Sequence, residues 1–283
     1  MFTIRKAISE DFERVYPLFR GFGGEPIPRE NWKKIFVSPW KSTEDFCGYL
    51  LLKDEEVKGY LGLIFSQRIQ NSKVEKFCNM TTWVVNEDSR SHSLPMLLEA
   101  LRLKDYTFTN FTASPAVATI LGKLGFADFP VHQRVLIPIP RLAGRGVGCE
   151  FDSPVIRSKL SEADRTIFDD HQSLDCIHLL LQSKSGDCYV VLKKAKRRKI
   201  TFVKVHYLSD ADVFSESVES LLARICFRLR VFGLMVDERY IGERDFSASL
   251  KYPHQRRAYF KSRSIVGSNS IDTLYSEVVI LHD

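Results

Sequence analysis

"TTWVVNEDSRSHSLPMLLEALRLKDYTFTNFTASPAVATILGKLGF", Thr81 to Phe126, is the stretch on which the fold turns. An apolar run, Thr81–Val85, ends in a turn carrying Glu87, Asp88 and Arg90. "SLPMLLEALRL" then spaces its apolar residues as a helix does. The β-branched and aromatic "YTFTNFTA" reads as a strand, and "SPAVATILGKLGF" as a second, shorter helix. Strand, polar turn, helix, strand is a βαβ-type crossover. The start of such a helix presents unpaired N–H groups and a partial positive charge, so the turn is a candidate phosphate cradle. Glycines usually let a cradle's backbone come close; here Ser91, Ser93 and Pro95 hold those places. The serines supply hydroxyl donors, and Pro95 removes one amide where the first helical turn tolerates the loss.

Working outward, "FTIRKAI" alternates as a strand, and Ser9 starts a helix that ends at Gly23–Gly24. Pro28 opens another helix. "CGYLLLKDEEVKGYLGLIFSQRIQ" is a hairpin around an acidic turn, and "KVEKFCNMTTWVV" the strand after it. "HQRVLIPIP" closes the first half as a strand. Three glycines and a proline then mark a linker. The second half repeats the order: a hairpin, the strand "KITFVKVHYL", a long amphipathic helix and the strand "GLMVDERYI". "RRAYFKS" and "LYSEVVIL" read as a final strand pair. The expectation is a mixed-sheet α/β protein of two domains, 1–141 and 155–283, joined by a linker over 142–154.

The 283 residues are 44% hydrophobic and 27% charged, which suits two ordinary cores. The net charge of +6 suits an anionic ligand and is too small for a dedicated nucleic-acid protein. The 6 cysteines are scattered without metal-ligand spacing and read as buried thiols, so no metal is expected. The N-terminus has no apolar signal core and no run is long enough to span a bilayer, so the reading is a cytoplasmic protein without a membrane partner. "KKAKRRK", Lys193–Lys199, is strongly cationic but has no aromatic residue within it, so a solvated hairpin tip is expected and nucleic acid is not. A homodimer is left open.

Residues 1–140 resemble the GNAT N-acetyltransferase superfamily. In "VVNEDSRSHSLP", Arg90 falls at the family's Arg/Gln position, Ser91 at its frequent first glycine, and Ser93 and Pro95 at its later small residues. In "SPAVATILGKLGF", Ser114 stands at the family's Asn, Val117 at its Ala, Leu121 at its Tyr, and Gly125–Phe126 at its Gly-Phe. The resemblance implies an acyl-CoA N-acyltransferase-like fold, in tandem, with acetyl-CoA or another acyl-CoA as co-substrate. It implies a pyrophosphate held by Arg90, Ser91, His92, Ser93 and Leu94. It also implies a fourth strand splayed from the fifth, with the backbone of Trp83, Val84 and Val85 pairing with the pantetheine arm. Asn110, polar in an apolar strand at the opening of that gap, needs a partner, ligand or protein.

The implied reaction is direct acyl transfer to an amine of unknown identity. A general base takes the amine proton and an acid protonates the leaving thiolate. Glu75 is the carboxylate that the resemblance suggests as base, and Val84 N–H the donor for the oxyanion. Leu121 cannot supply the family's tyrosine proton, so Ser114, Thr119 or water takes over, or the chemistry is weak. The rival reading is a non-catalytic GNAT-like binding or regulatory protein. The second half's helix begins with Asp210, Asp212, Glu216 and Glu219, which would repel a diphosphate. That half is expected to be a degenerate copy without cofactor.

Overall fold

A computed structural model describes residues 1–20, 27–70, 73–129, 132–139, 146–242, 244–253, 257–264 and 271–281. The expected helix end at Gly23–Gly24 and residues 142–145 of the expected linker lie outside the described residues. The chain opens with β1 (Phe2–Ala7), α1 (Phe12–Val15), α2 (Arg29–Phe36), β2 (Gly48–Lys53) and β3 (Glu56–Gln70). It continues through β4 (Lys73–Val85), α3 (Leu94–Ala100), β5 (Tyr106–Ala113), α4 (Pro115–Lys123), β6 (Ala127–Phe129) and β7 (His132–Leu136). Next come β8 (Gly148–Glu150), α5 (Ser153–Lys159), α6 (Glu162–His171), β9 (Ile177–Gln182), β10 (Asp187–Arg197) and β11 (Ile200–Leu208). Then follow α7 (Ala211–Leu229), β12 (Leu234–Asp237), α8 (Glu238–Ile241), β13 (Ser249–Pro253), β14 (Arg257–Lys261) and α9 (Glu277–Ile280).

The chain divides into two units. Unit 1 is Met1–Asp128 with Ala258–Val266 and Tyr275–His282. Unit 2 is Phe129–Arg257 with Gly267–Leu274 and Asp283. The sheet of unit 1 runs β1-β2-β3-β4-β5-β14-β6, and that of unit 2 runs β8-β9-β10-β11-β12-β7-β13. Both sheets are mixed, so the class is α/β, and both follow one plan. An antiparallel hairpin leads to a strand, β4 or β11, that pairs in parallel with the strand after a helix, β5 or β12.

The last places in each sheet are filled from a distance. β7, read from sequence as the closing strand of the first half, lies antiparallel between β12 and β13 in the second sheet. β14, from the chain's far end, takes the corresponding place beside β5 in the first. Alternation predicts that 132–136 is a strand; it carries no information on which sheet receives it. Within the expected linker, Gly148–Glu150 pair with β9 as an edge strand, and Asp152 caps α5 by accepting the Val155 N–H at 3.1 Å. "LYSEVVIL" departs from its expected strand. Ser276 caps a helical turn there, its hydroxyl accepting the Val278 N–H, and Val279 and Ile280 are buried, so packing overrides β-branched propensity.

In unit 1 one face of the sheet buries Leu61, Leu63, Cys78, Met80 and Phe108 with Met96 and Leu97 of α3 and Leu121 of α4. In unit 2 α7 presents Val213, Phe214, Val218, Leu221, Leu222 and Ile225 at helical spacing onto the sheet. The other face of that sheet holds buried histidines. Burial pushes His178 down to about 4 and lowers His171 and His206 from the ordinary histidine range. Their neutral forms are favoured only in the folded state. Stability is therefore fully present above about pH 6.5 and falls as pH drops through the window down to about 4. His178 alone is expected to account for roughly 3 kcal/mol of that loss. Urea midpoints measured from pH 7 to pH 4 check this; a flat series with constant m-value counts against it.

Candidate functional site

The β4–β5 ladder is short. It pairs Lys76 with Tyr106, Phe77 with Thr107, Cys78 with Phe108 and Asn79 with Thr109, and then stops. β4 continues to Val85 and β5 to Ala113. The two parallel strands part just past Asn79 and Thr109. β4 keeps its other edge bound to β3, where Tyr60 opposes Val84 and Gly62 opposes Thr81. Between those pairs β4 has Thr82 and Trp83 against Leu61 alone, which is a β-bulge. Thr82 pays for it with φ of 47°, a left-handed conformation that a β-branched side chain adopts only under strain.

Two polar atoms past the divergence are buried and unpartnered. Asn110, 9% exposed, donates its Nδ2 to the Met80 carbonyl at 2.9 Å across the apex, which fixes the amide orientation. Among the described residues its Oδ1 accepts nothing, and the Trp83 Nε1–H donates to nothing. Trp83 and Val85 pack at the margin of the α3–α4 core, and Val84 is half-buried. Across the gap Ser114 follows directly on β5. It is exposed and caps α4, its Oγ accepting the Val117 N–H at 3.4 Å.

The expected cradle is narrower than its sequence implies. Glu87–His92 forms a 3₁₀ turn, and the Ser93 N–H donates to the Arg90 carbonyl at 3.1 Å. A 3₁₀ turn engages its amides at i→i+3, so they are not aimed outward together. His92 stacks on Phe2 with ring centroids 3.8 Å apart, and the Ser91 hydroxyl lies 3.1 Å from its Nδ1. What remains for an anion is the Leu94 amide at an uncapped helix start and the exposed Arg90 guanidinium, held among the described residues only by a 3.4 Å contact to Glu87.

Glu75 is not brought to the gap. It lies at the opposite end of β4, about 30 Å from Val84 at ~3.3 Å per residue, and accepts the Ser264 hydroxyl at 2.8 Å. A different carboxylate is there instead. Glu277 of α9, 2% exposed, accepts the Thr112 hydroxyl of β5 at 2.7 Å, and its N–H points to Asn79 Oδ1 at 3.5 Å. It thus sits at the apex where the strands part. No local signal in "LYSEVVIL" could have announced it. Leu121, at the family's tyrosine position, is 1% exposed in the core.

No family model matches the sequence, and neither does any curated protein. Solved structures do match in shape. A GCN5-related N-acetyltransferase from Anabaena variabilis superposes with a TM-score of 0.60 at 11% identity, over 92% of this chain and 72% of its own. One from Kribbella flavida gives 0.61 at 13%, over 92% and 70%. A tandem GNAT protein from the clavulanic acid biosynthesis pathway gives 0.51 at 12%, over 92% and 97%. The chain has a tandem GNAT fold.

The second GNAT-like unit has the same devices, already filled. β11 pairs in parallel with β12 only at Val203–Leu234 and Lys204–Met235. His206 is the extra residue of a bulge, since Val191 opposes Tyr207 and Leu192 opposes Val205. Here the bulge has partners from the unit itself: Tyr240 donates its hydroxyl to the His206 carbonyl at 3.3 Å, and Thr273 Oγ1 lies 2.8 Å from His206 Nδ1. The helix start is also taken, because Asp210 Oδ1 accepts the Asp212 and Val213 amides at 2.9 Å each. A carboxylate occupies the place where an anion would bind. Among the described residues no group of three His, Cys, Asp or Glu could hold a metal ion. Among them, too, no helix is long and apolar enough to cross a membrane.

Proposed function

We propose that unit 1 binds an acyl-CoA in the gap between β4 and β5 and transfers the acyl group to an amine. The observation that carries this is the parting of the two strands after Asn79 and Thr109, maintained by a strained bulge at Thr82. An open strand edge takes up an extended ligand by main-chain pairing. The pantetheine arm alternates amide donors and carbonyl acceptors, which suits the unpartnered Asn110 Oδ1 and Trp83 Nε1. Arg90 and the Leu94 amide would take the diphosphate. Among its described residues unit 2 offers neither an open bulge nor an uncapped helix, so one coenzyme per chain is expected.

In the reaction the neutral amine attacks the thioester carbonyl. The new C–N bond forms as the C–S bond breaks. The amine loses a proton and the coenzyme leaves as thiolate, then thiol. Glu277, at the apex, is the base for that proton, directly or through water. Ser114 and solvent are the donors on the thiolate side. Buried Leu121 favours a second reading, a protein that binds acyl-CoA without turning it over. The test is a coenzyme A titration followed by melting temperature. Binding should raise it as the logarithm of ligand over Kd grows, because bound ligand adds about 2.7 kcal/mol of stability at a hundredfold excess over Kd. Asn110→Ala should reduce the rise. No shift with any acyl-CoA removes both readings, and a shift without thiol release across an amine panel selects the second.

A further inference from the structure

Unit 2 carries a cationic surface that acyl transfer does not use. The tip of the β10–β11 hairpin exposes Lys194, Lys196, Arg197, Arg198 and Lys199. The run has no aromatic residue in sequence, but the fold brings one to it. The Phe232 N–H donates to the Thr201 carbonyl at 2.8 Å, its ring meets Phe202 edge-on at 5.7 Å, and Thr201 is the cross-strand partner of Lys196. Phe232 nevertheless remains 52% exposed. The adjoining end of α7 exposes Arg224, Arg228 and Arg230, and with them Phe227 at 88%. These residues and Val231 line an open groove of about 1170 Å3, whose far wall is Cys149, Glu150 and Phe151. The one carboxylate in that wall, Glu150, is turned onto the Phe151 and Asp152 amides at 2.7 and 2.8 Å.

Backbone conformation adds an independent observation. Five non-glycine residues have positive φ among the described residues, and the two cationic ones both border this surface: Arg198 at 55° and Arg230 at 56°. Glycine or asparagine is the easier residue at a hairpin tip and at a helix C-terminus. Arginine stands in both places despite the left-handed conformation. Charge near a helix C-terminus accounts for part of this at Arg230 and for none of it at Arg198.

We propose that this surface binds a single-stranded nucleic acid, with phosphates on the hairpin and α7 cations and bases stacked on Phe227 and Phe232. Exposed aromatics beside a cationic groove are how a strand is held without sequence readout. The open groove beside the α7 cations gives a flexible chain a lined surface to follow. The proposal is independent of coenzyme binding in unit 1.

The experiment uses the full chain with fluorescently labelled single-stranded RNA and DNA of one mixed sequence, read by polarisation. Affinity should fall roughly 50-fold between about 50 and 200 mM salt if about four phosphates are engaged. Lys196→Glu with Arg197→Glu should weaken binding and flatten that salt slope. Phe227→Ala should weaken it about tenfold without changing the slope. Arg230→Gly should weaken it while leaving the melting temperature unchanged or raised, which separates binding from folding. The RNA and DNA arms show whether the 2′-hydroxyl is read. The proposal is overturned if neither oligonucleotide binds at low salt, or if Phe227→Ala and Phe232→Ala leave affinity intact. Preferential binding through these residues to vesicles containing phosphatidylserine, or to polyglutamate, overturns it as well.

Discussion

A chain ending at residue 141 is expected not to fold. It would contain all of β1 to β6 but not β14, the strand beside β5 in the first sheet. Ala258, Tyr259 and Phe260 of β14 are buried, and Tyr259 belongs to the unit 1 core. The same cut removes buried Tyr275, Val279, Ile280 and Leu281. At ~1.5–3 kcal/mol for each large apolar side chain, the lost burial is on the order of 10 kcal/mol. That equals the whole stability of an ordinary domain, about 5–15 kcal/mol. The fragment would also carry β7 without the two strands that cover it in unit 2, leaving an apolar edge free to aggregate. Circular dichroism and a thermal melt would show it: the expected trace has no cooperative transition. Co-expression with residues 142–283 should restore solubility. A sharp melt of the isolated 1–141 chain would mean that β14 contributes little.

This result marks the boundary of what local pattern reveals. Hairpins, the crossover at Thr81–Phe126 and the long helix after β11 all rest on periodicity within a window, and all are found where periodicity puts them. The tandem plan followed from order alone. The exchange of β7 and β14 could not follow, because either sheet accepts a strand of that alternation. The bulge at Thr82 was hidden by a residue type that ordinarily favours regular strands. The cradle amides of Ser91 to Ser93 looked available because a sequence does not show whether a turn is 3₁₀ or open. Phe232 reaches the cationic run through the β11–β12 pairing, and nothing inside "KKAKRRK" signals it. Glu75 matches the family pattern only by its position along β4. The carboxylate that the fold brings to the gap is 165 residues from Thr112 and 198 from Asn79.

Glu277→Gln is the substitution that tests that carboxylate. The amide is isosteric and can still accept the Thr112 hydroxyl, so α9 should stay docked and coenzyme A should shift the melting temperature as before. Transfer to an amine should fall by about 10²–10⁴-fold, the usual contribution of a positioned general base. The enzyme's share of the acid limb of the kcat/KM profile should disappear with it, leaving the part set by protonation of the amine itself. Glu75→Gln, about 30 Å away along β4, should leave both the rate and the profile unchanged. Two outcomes speak against the assignment. If Glu277→Gln retains transfer within a few-fold and keeps the acid limb, Glu277 only ties α9 to β5. If the variant also loses the coenzyme-induced shift, the carboxylate supports the gap and says nothing about the proton. Comparing Glu277→Gln with Thr112→Val resolves the two roles. Thr112→Val breaks that hydrogen bond but leaves the carboxylate, so a structural tie predicts a loss for Thr112→Val and little for Glu277→Gln, which keeps the bond. A base predicts a large loss for Glu277→Gln and a smaller one, with a shifted acid limb, for Thr112→Val.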